Sequence, residues 1–323
     1  MNSIIIVDYN SIEETLKYIE RCIESINEVD EMAFVVVDNS DDGNCAICLE
    51  RTGDKTFVDV EIEDSEQQIK KHKFEKYNVF ELSYNSRPLY IIEARENLGY
   101  AKGNNLGIRF SKEILDSSYC IISNNDIFFT NRINVSDFID ICQKESNIAV
   151  VGPKIIDPNG NSQSPYQYLD INELIVNDFF HMAFGKLIKS FKPSVMASVE
   201  SGECYFTSGS FLFIDIDRFL GVDGFDGGTF LYCEEMILSE RLKQKGYCFY
   251  FFDKYELIHK HSTTMKSNMS ELKRLERYWE SAFYYFEKYK GVSKAEINNV
   301  KMKLAFAKPF YIMRRYIKHI IKG

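Results

Sequence analysis

Tyr119-Cys-Ile-Ile-Ser-Asn-Asn-Asp126 is an apolar run that ends in two amides and a carboxylate. A short apolar run followed by turn-forming polar residues is typical of a buried strand in a mostly parallel sheet, and its last side chains reach the carboxyl edge of that sheet. Open α/β sheets bind ligands at this edge. Asn124, Asn125 and Asp126 could hold a divalent cation and a phosphate through oxygen ligands. The same residues could instead form a simple turn or helix cap.

The first forty residues indicate the kind of sheet to which that strand belongs. Two apolar runs, Ser3–Asp8 and Ala33–Asp38, flank a segment whose apolar residues recur at helical spacing. Strand, helix and strand in this order form a βαβ unit, which implies a parallel sheet with a right-handed crossover. The predicted fold class is therefore α/β, with a mostly parallel sheet flanked by helices.

Both of these predicted strands end on an aspartate. Asp8 and Asp38 could accept hydrogen bonds from a nucleobase or from ribose hydroxyls, because carboxylates at strand tips reach the ligand edge of the sheet. Each could also be a cap for the turn that follows it. Tyr9, next to the first tip, would offer a ring face on which a base can stack.

A glycine- and asparagine-rich loop, residues 97–107, follows a predicted third strand at Leu89–Ile92. Its glycines would let the backbone approach a phosphate at the start of a helix, where N–H groups and the helix dipole favour negative charge. Lys102 would add a positive charge. The alternative is a loop whose glycines only allow tight packing of the helix on the sheet. Residues 44–88, which precede the loop, are irregular and predict an excursion with an extra strand or hairpin.

Two polar groups interrupt the second half of the chain. Ser208-Gly-Ser210 breaks a predicted strand over Phe206–Ile214, at a place where backbone could approach a ligand. Glu234 and Glu235 begin a predicted helix that stops at Gly246. Carboxylates at a helix start are stabilised by the dipole, so capping competes with catalysis as an explanation. In a cleft, one could act as a general base while the other holds an acceptor hydroxyl.

Histidine and cysteine residues give weaker signals. Ile258–Thr264 is interpreted as a polar loop, in which His259 and His261 would point in opposite directions, so at most one should face a site. That imidazole could bind a metal or only a hydrogen-bond partner. Cys45 and Cys48 are the one close cysteine pair, and ordinary buried thiols are favoured over a redox or zinc half-site. With scattered cysteines and a strand at the start, the chain is expected to be cytoplasmic and reduced.

Charge is distributed unevenly along the chain. The formal net charge is −9, which argues against a general nucleic-acid binder, yet residues 294–322 carry eight Lys or Arg and one Glu. From residue 300 this basic tail also contains regularly spaced apolar residues, as in helices that lie at a membrane surface, although packing against a partner subunit would give the same pattern. Pro309 is expected to interrupt any single long helix there. No apolar run reaches the roughly 18 residues that span a bilayer.

Taken in order, these motifs resemble the family 2 glycosyltransferases, in particular the rhamnosyltransferase-like and capsule-polysaccharide members. The resemblance implies a GT-A fold over residues 1–265, with an insertion at about 44–88 and an acceptor or lid region at about 160–205. Residues 266–323 would form a basic, amphipathic helical extension. The motifs are Asp8-Tyr-Asn10, Asp38-Asn-Ser40, residues 97–104, Ser208-Gly-Ser210, Gly224-Phe-Asp226, Tyr232-Cys-Glu-Glu235 and His259-Lys-His-Ser-Thr263.

The resemblance also implies a role for each motif residue. Tyr9, Asp38, Asn97, Lys102 and Asn124 would bind the nucleotide. Asp126 and His259 would hold a Mn²⁺ or Mg²⁺ ion, because residues 124–126 stand at the family's Asp-x-Asp motif. Glu235, with Glu234 beside it, would be the general base. The residues expected at the donor or acceptor sugar are Ser208, Gly209 and Asp226.

Two departures from the family pattern bear on the site. Asn124 replaces the first aspartate of Asp-x-Asp, which lowers the negative charge available to the metal. Glu235 stands where an aspartate is usual, so the base is one methylene longer and has a different reach.

The function implied is inverting, metal-dependent transfer of a hexose from a nucleoside diphosphate sugar, a UDP-sugar or dTDP-rhamnose, to a glycan or lipid-linked acceptor. Such a protein would work in surface polysaccharide synthesis, at the inner face of the plasma membrane. An alternative from another class is a non-catalytic nucleotide-sugar-binding partner of an active transferase, prompted by Asn124. Nucleotidyl transfer onto sugar phosphates is disfavoured, because a basic glycine-rich loop near the N-terminus is missing from the sequence.

Overall fold

A computed structural model describes residues 1–41, 43, 70–185, 195–196, 199–260 and 271–322. Side chains are described at these positions except at 70 and 318–322. Cys45, Cys48, His261 and the first part of the predicted insertion lie outside the described residues. Within these ranges, the strands form one eleven-stranded sheet.

The strands have the following bounds: β1 Asn2–Asp8, β2 Met32–Asp38, β3 Lys70–Phe74, β4 Tyr77–Tyr84, β5 Arg87–Glu93, β6 Tyr119–Ser123, β7 Ile127–Phe129, β8 Ile148–Ile156, β9 Gly202–Cys204, β10 Phe211–Asp215 and β11 Cys248–His259. Their order across the sheet is β3-β4-β5-β2-β1-β6-β10-β8-β11-β7, and β9 pairs with β11.

The centre of the sheet is parallel, as the βαβ pattern predicts. Strands β5, β2, β1 and β6 all run in one direction, and Asp8 is in register with Asp38 at the carboxyl edge. The described part of the predicted insertion, β3 and β4, is an antiparallel hairpin that extends the sheet beyond β5. An extra hairpin was expected there, and it continues the sheet rather than leaving it.

The other half of the sheet is mixed. Strand β10 is antiparallel to both of its neighbours, β6 and β8. Strand β11 runs parallel to β8, and β7 and β9 add to it in antiparallel pairs. Because β10 is reversed, its first residues rather than its last lie beside the tip of β6, with Phe211 opposite Ser123.

The helices are α1 Ile12–Ser25, α2 Gly99–Glu113, α3 Val135–Lys144, α4 Asp178–Phe184, α5 Ile216–Leu220, α6 Glu234–Gln244, α7 Glu271–Lys290 and α8 Lys294–Lys322. A π-helical segment, Asn172–Asn177, leads directly into α4. Helix α6 begins at Glu234 as predicted, and Gly246 follows its end with a φ of +78°.

Two apolar layers cover the faces of the sheet, because successive strand residues point to opposite sides. Ile4 and Ile6 of β1 pack in the layer with α1 and α3. Ile5 packs in the other layer, together with α2, α6, α7 and α8. The near-continuous burial of β2 follows from this double cover. Both layers hold the carboxyl edge of the central strands in place.

Two predicted boundaries are wrong. Ile258 and His259 belong to the end of β11 rather than to a polar loop, because backbone pairing with β7 and β8 continues to that point. Pro309 lies inside α8 and does not end it. A proline removes one helical hydrogen bond, but Leu304, Ala307 and Tyr311 are buried on the two sides of it and hold both halves of the helix against the protein.

Candidate active site

The acid pair lies at the start of α6, behind an unusual turn. Tyr232 and Cys233 have φ angles of +76° and +69°. Non-glycine residues are uncommon in this left-handed region, and consecutive ones require support from the surrounding structure. Glu234 is buried, with 3% of its surface exposed, whereas Glu235 is half-buried. The turn therefore directs one carboxylate into the protein and leaves the other partly exposed.

Glu235 lies directly against the 208–210 turn. A Cβ atom built on Gly209 would fall 1.7 Å from Oε1 of Glu235, so only glycine fits at this position. The backbone N–H of Gly209 donates a hydrogen bond to Glu235. Tyr100 donates its hydroxyl to the carbonyl oxygen of Gly209 at 2.7 Å. The position of the carboxylate is thus set by a backbone turn that a tyrosine holds from the other side.

Burial raises the pKa of both carboxyl groups. The pKa of Glu234 is raised to about 8, first by burial and then by the negative charge of Glu235. Its Oε1 atom is buried and accepts no hydrogen bond from the residues that the structure describes. Burial also raises the pKa of Glu235, while backbone N–H groups, including that of Gly209, act in the opposite direction. Because burial and the negative charge of Glu235 both raise the pKa of Glu234, the proton of the pair is favoured on Glu234.

The same turn joins the acid pair to the tip of β6. The backbone N–H of Asn124 donates to the carbonyl oxygen of Ser210 at 2.9 Å, and Oγ of Ser123 donates to that oxygen at 3.3 Å. Ser208 and Ser210 share a hydrogen bond between their hydroxyl groups at 2.9 Å. The structure therefore brings together three of the predicted groups: the β6 tip, the 208–210 turn and Glu235.

Asp126 and His259 also meet, as the resemblance implies. Oδ1 of Asp126 lies 3.2 Å from Nε2 of His259, and both side chains are largely buried. The other ring nitrogen of His259 is 3.1 Å from Oε1 of Gln163. With the ring proton on Nδ1, that N–H donates a hydrogen bond to Oε1 of Gln163. Nε2 of His259 and Oδ1 of Asp126 then each direct a lone pair into the space between them. This is the arrangement that a cation would stabilise.

The donor set of this pair fits a divalent metal. Ligands about 2.1 Å from an octahedral ion are about 3 Å from their neighbours in the shell, close to the separation of Asp126 Oδ1 and His259 Nε2. A carboxylate oxygen suits Mn²⁺ or Mg²⁺, and an imidazole nitrogen is a common ligand of first-row transition metals. In the described part of the chain, no group of three or more His, Cys, Asp or Glu side chains could hold a metal. Asp126 and His259 would thus need further ligands from a substrate or from water.

Asn125, which lies between Asn124 and Asp126 at the tip of β6, has a structural role. Its amide nitrogen donates to Oγ of Ser11 at 3.0 Å and to Oγ1 of Thr15 at 2.9 Å. These bonds tie the tip of β6 to the first turn of α1, so the turn explanation holds for this residue.

The two aspartates at the tips of β1 and β2 are fully buried. Asp8 accepts hydrogen bonds from the N–H and the hydroxyl of Ser11, and Asp38 accepts one from the N–H of Ser40 at 2.9 Å. Burial, with the charge of Asp38, raises the pKa of Asp8 to about 6. Both carboxylates bind the turns that follow them, as caps do. A nucleobase contact for Asp38 stays a prediction.

Three further predicted nucleotide contacts are exposed at this edge. Tyr9 has 37% of its surface exposed, and the side chains of Asn97 and Lys102 are also exposed. The amide oxygen of Asn97 accepts a hydrogen bond from the N–H of Gly99, which starts α2. Among the described residues, no carboxylate forms a salt bridge with Lys102. A nucleotide contact for Lys102 stays a prediction.

The glycines of the 97–107 loop serve packing. Cβ atoms on Gly103 and Gly107 would meet Val7 and Ile5 of β1 at 3.0 and 2.5 Å. Gly99 has a φ of +74°, and a Cβ there would fall 2.5 Å from the backbone oxygen of Phe230. All three glycines thus allow close packing of α2 and its loop against the rest of the protein. Of the two explanations that the sequence left open, the structure shows the packing one.

Asp226 is hydrogen-bonded to helix α7. Its Oδ2 accepts hydrogen bonds from Tyr284 at 2.9 Å and from Lys288 at 2.8 Å, and also from Tyr289. Its Oδ1 accepts one from the N–H of Gly228. These bonds, above all that from Lys288, hold the pKa of Asp226 well below its usual range against the effect of burial. The carboxylate anchors the 224–228 loop, so a sugar contact stays a prediction.

Two residues of the site were not identified from the sequence. Tyr100, which holds Gly209, lies inside the 97–104 motif but gave no separate signal. Gln163, which contacts His259, comes from an irregular segment without periodicity. In both cases only the folded chain shows the partner, because the contacts join residues more than ninety positions apart.

Known proteins provide a comparison for this fold and site. No protein-family model matches the chain. Rhamnosyltransferase WbbL of Escherichia coli (strain K12) is 24% identical to it over 167 residues, which cover 50% of this chain and 60% of the relative. The similarity therefore spans less than two thirds of that protein.

Solved structures extend the comparison to most of the chain. A structure of GalNAc-T7 with UDP, GalNAc and Mn²⁺ matches 90% of this chain and 49% of its own, with a TM-score of 0.54 at 13% identity. The mannosyltransferase PcManGT from Pyrobaculum calidifontis, in complex with GDP-Man and Mn²⁺, matches 97% of this chain and 73% of its own, with a TM-score of 0.53 at 13% identity. The chain has the fold of the GT-A glycosyltransferases. The predicted fold class and the resemblance to these enzymes are confirmed.

Proposed function

We propose that the protein is an inverting, metal-dependent family 2 glycosyltransferase. It would move a hexose from a nucleoside diphosphate sugar, a UDP-sugar or dTDP-rhamnose, to a hydroxyl of a glycan or of a lipid-linked oligosaccharide. Such a reaction belongs to the synthesis of surface polysaccharides such as capsules. The rhamnosyltransferase relative favours a deoxyhexose donor.

The observation that carries the proposal is the position of Glu235. Its carboxylate is half-buried at a helix start, rests against Gly209 and lies beside a protonated neighbour. A buried carboxylate with a raised pKa is a stronger base than an exposed one, which suits the removal of a proton from an alcohol.

The proposed reaction is a single displacement. Glu235 takes the proton of the acceptor hydroxyl while that oxygen forms a bond to the anomeric carbon of the donor. The bond between the anomeric carbon and the diphosphate breaks, and the electron pair leaves with the diphosphate. One displacement on one face inverts the anomeric configuration. Glu234, which is buried behind Glu235, holds the proton of the pair and leaves Glu235 to act as the base.

The predicted nucleotide and metal contacts complete the proposal. A divalent ion, when bound, would neutralise charge on the leaving diphosphate. Asp126 and His259 would hold it, with Asn124 nearby on the donor side. Tyr9 and Asp38 would contact the base, and Asn97 and Lys102 would line the nucleotide pocket. Ser208, Gly209 and Asp226 would shape the sugar pocket.

A nucleotide-release assay with a panel of UDP-, dTDP- and GDP-sugars, in the presence of Mn²⁺, tests the proposal. The wild-type protein should release nucleotide from at least one donor, and Glu235→Gln should slow this by about 10²- to 10⁴-fold, the usual contribution of a general base. Donor binding, followed by thermal shift, should be preserved. Glu113→Gln, the same substitution at an exposed position of α2, is the matched control.

The same assay separates the competing function. If a donor binds but no nucleotide is released, and Glu235→Gln changes nothing, the protein is a nucleotide-sugar-binding partner and the enzymatic proposal fails. For the metal, Asp126→Ala should raise the Mn²⁺ concentration needed for half-maximal activity about 10- to 100-fold. An unchanged requirement would place the metal elsewhere.

A further inference from the structure

Helix α8 carries two apolar faces. One of them is buried: Val300, Leu304, Ala307 and Tyr311 have between 0% and 5% of their surface exposed. This face packs against α4 and α7 and accounts for the attachment of the helix to the protein. A helix held in this way needs only one apolar face.

The second face points away from the protein. Nine residues occupy an arc of about 160° around the helix axis at 100° per residue, and they extend over roughly 22 Å of its length. All nine are exposed and none is charged. Phe306 is 63% exposed and Met313 is 54% exposed, which are large values for such side chains. The nine residues, called the outer face below, are Met302, Ala305, Phe306, Pro309, Phe310, Ile312, Met313, Tyr316 and Ile317.

Cationic residues border the outer face on both sides. Lys301, Lys308 and Arg315 lie along one border, and Lys303 and Arg314 lie along the other, by the same helical spacing. Contacts to the body of the protein hold several of them in place: Lys308 pairs with Glu276, Arg315 with Glu271, and Arg314 donates to the carbonyl oxygen of Met182 at 2.8 Å. An uncharged face between two rows of fixed cations is the pattern of helices that lie in the surface of an anionic membrane.

We propose that the outer face of α8 docks the protein onto an anionic lipid bilayer, with the helix lying in the plane of the headgroups. Charge decides between this occupant and a second copy of the chain. Residues 294–322 have eight basic residues and one acidic residue, on a chain whose formal charge is −9. Lys308 and Arg315 are already paired with carboxylates, but Lys301, Lys303 and Arg314 form no salt bridge in the described part of the chain. Two copies packed through this face would bring these three cations close to their counterparts, whereas anionic lipids neutralise them.

The docking is independent of the proposed activity. Helix α8 packs on α4 and on the π-helical segment before it, and no residue of the outer face belongs to the candidate active site.

Co-sedimentation of the full chain with vesicles tests the docking. The protein should sediment with vesicles of equal parts phosphatidylcholine and phosphatidylglycerol, and should stay in solution with phosphatidylcholine alone. The double variant Phe306→Glu/Met313→Glu should lower the bound fraction at least about tenfold, because it places two carboxylates in the lipid contact. Ile114→Glu, at an isoleucine with 49% exposure after α2, is the matched control and should bind like the wild type.

Three results would overturn the proposal: wild-type protein that does not sediment with the anionic vesicles, a double variant that sediments as well as the wild type, or an Ile114→Glu control that loses binding equally. Light scattering of the wild type and the double variant measures their oligomeric state and so tests the alternative occupant, a second copy of the chain. A dimer that the double variant converts to monomer, without vesicle binding by either, identifies a contact between copies. Nucleotide release in vesicle-free solution should be equal for both, so loss of docking is distinguishable from loss of the proposed activity.

Discussion

Two pairs of carboxylates, one at the carboxyl edge of the parallel strands and one at the start of α6, have different surroundings. Asp8 and Asp38 end adjacent parallel strands in register, and both are fully buried. Each accepts hydrogen bonds from the turn that follows, at Ser11 and Ser40. Their oxygens are used by the fold itself, and the short distance between the two strand tips makes one carboxyl group raise the pKa of the other.

Glu234 and Glu235 have a different setting. They follow two residues in the left-handed conformation, and Glu235 rests on Gly209, where a side chain is sterically excluded. Oε1 of Glu234 accepts no hydrogen bond from the described residues. A carboxylate at the edge of an α/β sheet is thus not a functional group by position alone. Its role depends on whether local turn hydrogen bonds occupy its oxygens.

The strongest test of this difference is Gly209→Ala. The new methyl group would overlap Oε1 of Glu235 and also approach the hydroxyl of Tyr100 at 2.8 Å, so the carboxylate must move. Displacement of a catalytic group by about 1 Å costs on the order of 10²-fold in rate. We expect kcat for nucleotide release to fall by about this factor, with the unfolding temperature lowered by only a few degrees.

Gly202→Ala provides the matched control for that substitution. A Cβ on Gly202 would meet nothing within 4 Å, so its rate should equal that of the wild type. Equal rates for Gly209→Ala and the wild type would show that the contact with Gly209 does not position the base.

Glu234→Gln sharpens the comparison within the acid pair. Because burial and the charge of Glu235 raise the pKa of Glu234 to about 8, Glu234 is mostly protonated at pH 7, and a glutamine resembles that form. We expect kcat at pH 7 to stay within about threefold of the wild type, in contrast to the loss expected for a general base. Rates measured side by side with Glu235→Gln decide the assignment. A larger loss for Glu234→Gln would exchange the two roles.

Asp8→Asn should have the smallest effect on activity and a measurable one on stability. The folded protein raises the pKa of Asp8 from 3.8 to about 6, so the ionised form is destabilising. This penalty is absent below pH 3.8, grows between pH 3.8 and 6, and is complete above pH 6. Asparagine can still accept the hydrogen bond from Ser11 and carries no charge. At pH 8 we expect an increase of about 1 to 3 kcal/mol in the free energy of unfolding.

Thermal unfolding at pH 8 and pH 5 measures that gain, which should be smaller at pH 5. Asp41→Asn, at an exposed aspartate just beyond Asp38, should show no comparable change between the two pH values. A destabilised Asp8→Asn at pH 8 would mean that the ionised carboxylate is needed by the fold.

Local patterns in the sequence predicted the parallel centre of the sheet. In the first forty residues, each strand is visible as an apolar run and the helix as a periodicity of about 3.6 residues, and neither signal depends on distant residues. Local patterns also predicted the start of α6 and the meeting of Asp126 with His259, the latter through the resemblance. The engagement of Asp226 by Tyr284 and Lys288 was not predictable, since those partners are about sixty positions away. The same holds for Tyr100 and Gly209. The continuation of α8 through Pro309 depends on tertiary packing, which outweighs the local preference of proline.

The reversed direction of β10 has a consequence for how this scaffold can vary. Strand β8 ends, at Ile156, on the same edge of the sheet where the turn before β10 begins, so the chain between them leaves and returns at one edge. Apart from β9, which pairs with β11, such an insertion can change in length or sequence without altering the register of a strand, because the entropic cost of a longer closed loop rises only slowly. We expect the part of 157–207 outside Gln163 and β9 to tolerate exchange between homologous proteins. If this region holds the acceptor, as the resemblance implies, such grafts should alter acceptor selectivity while Glu235 stays in place.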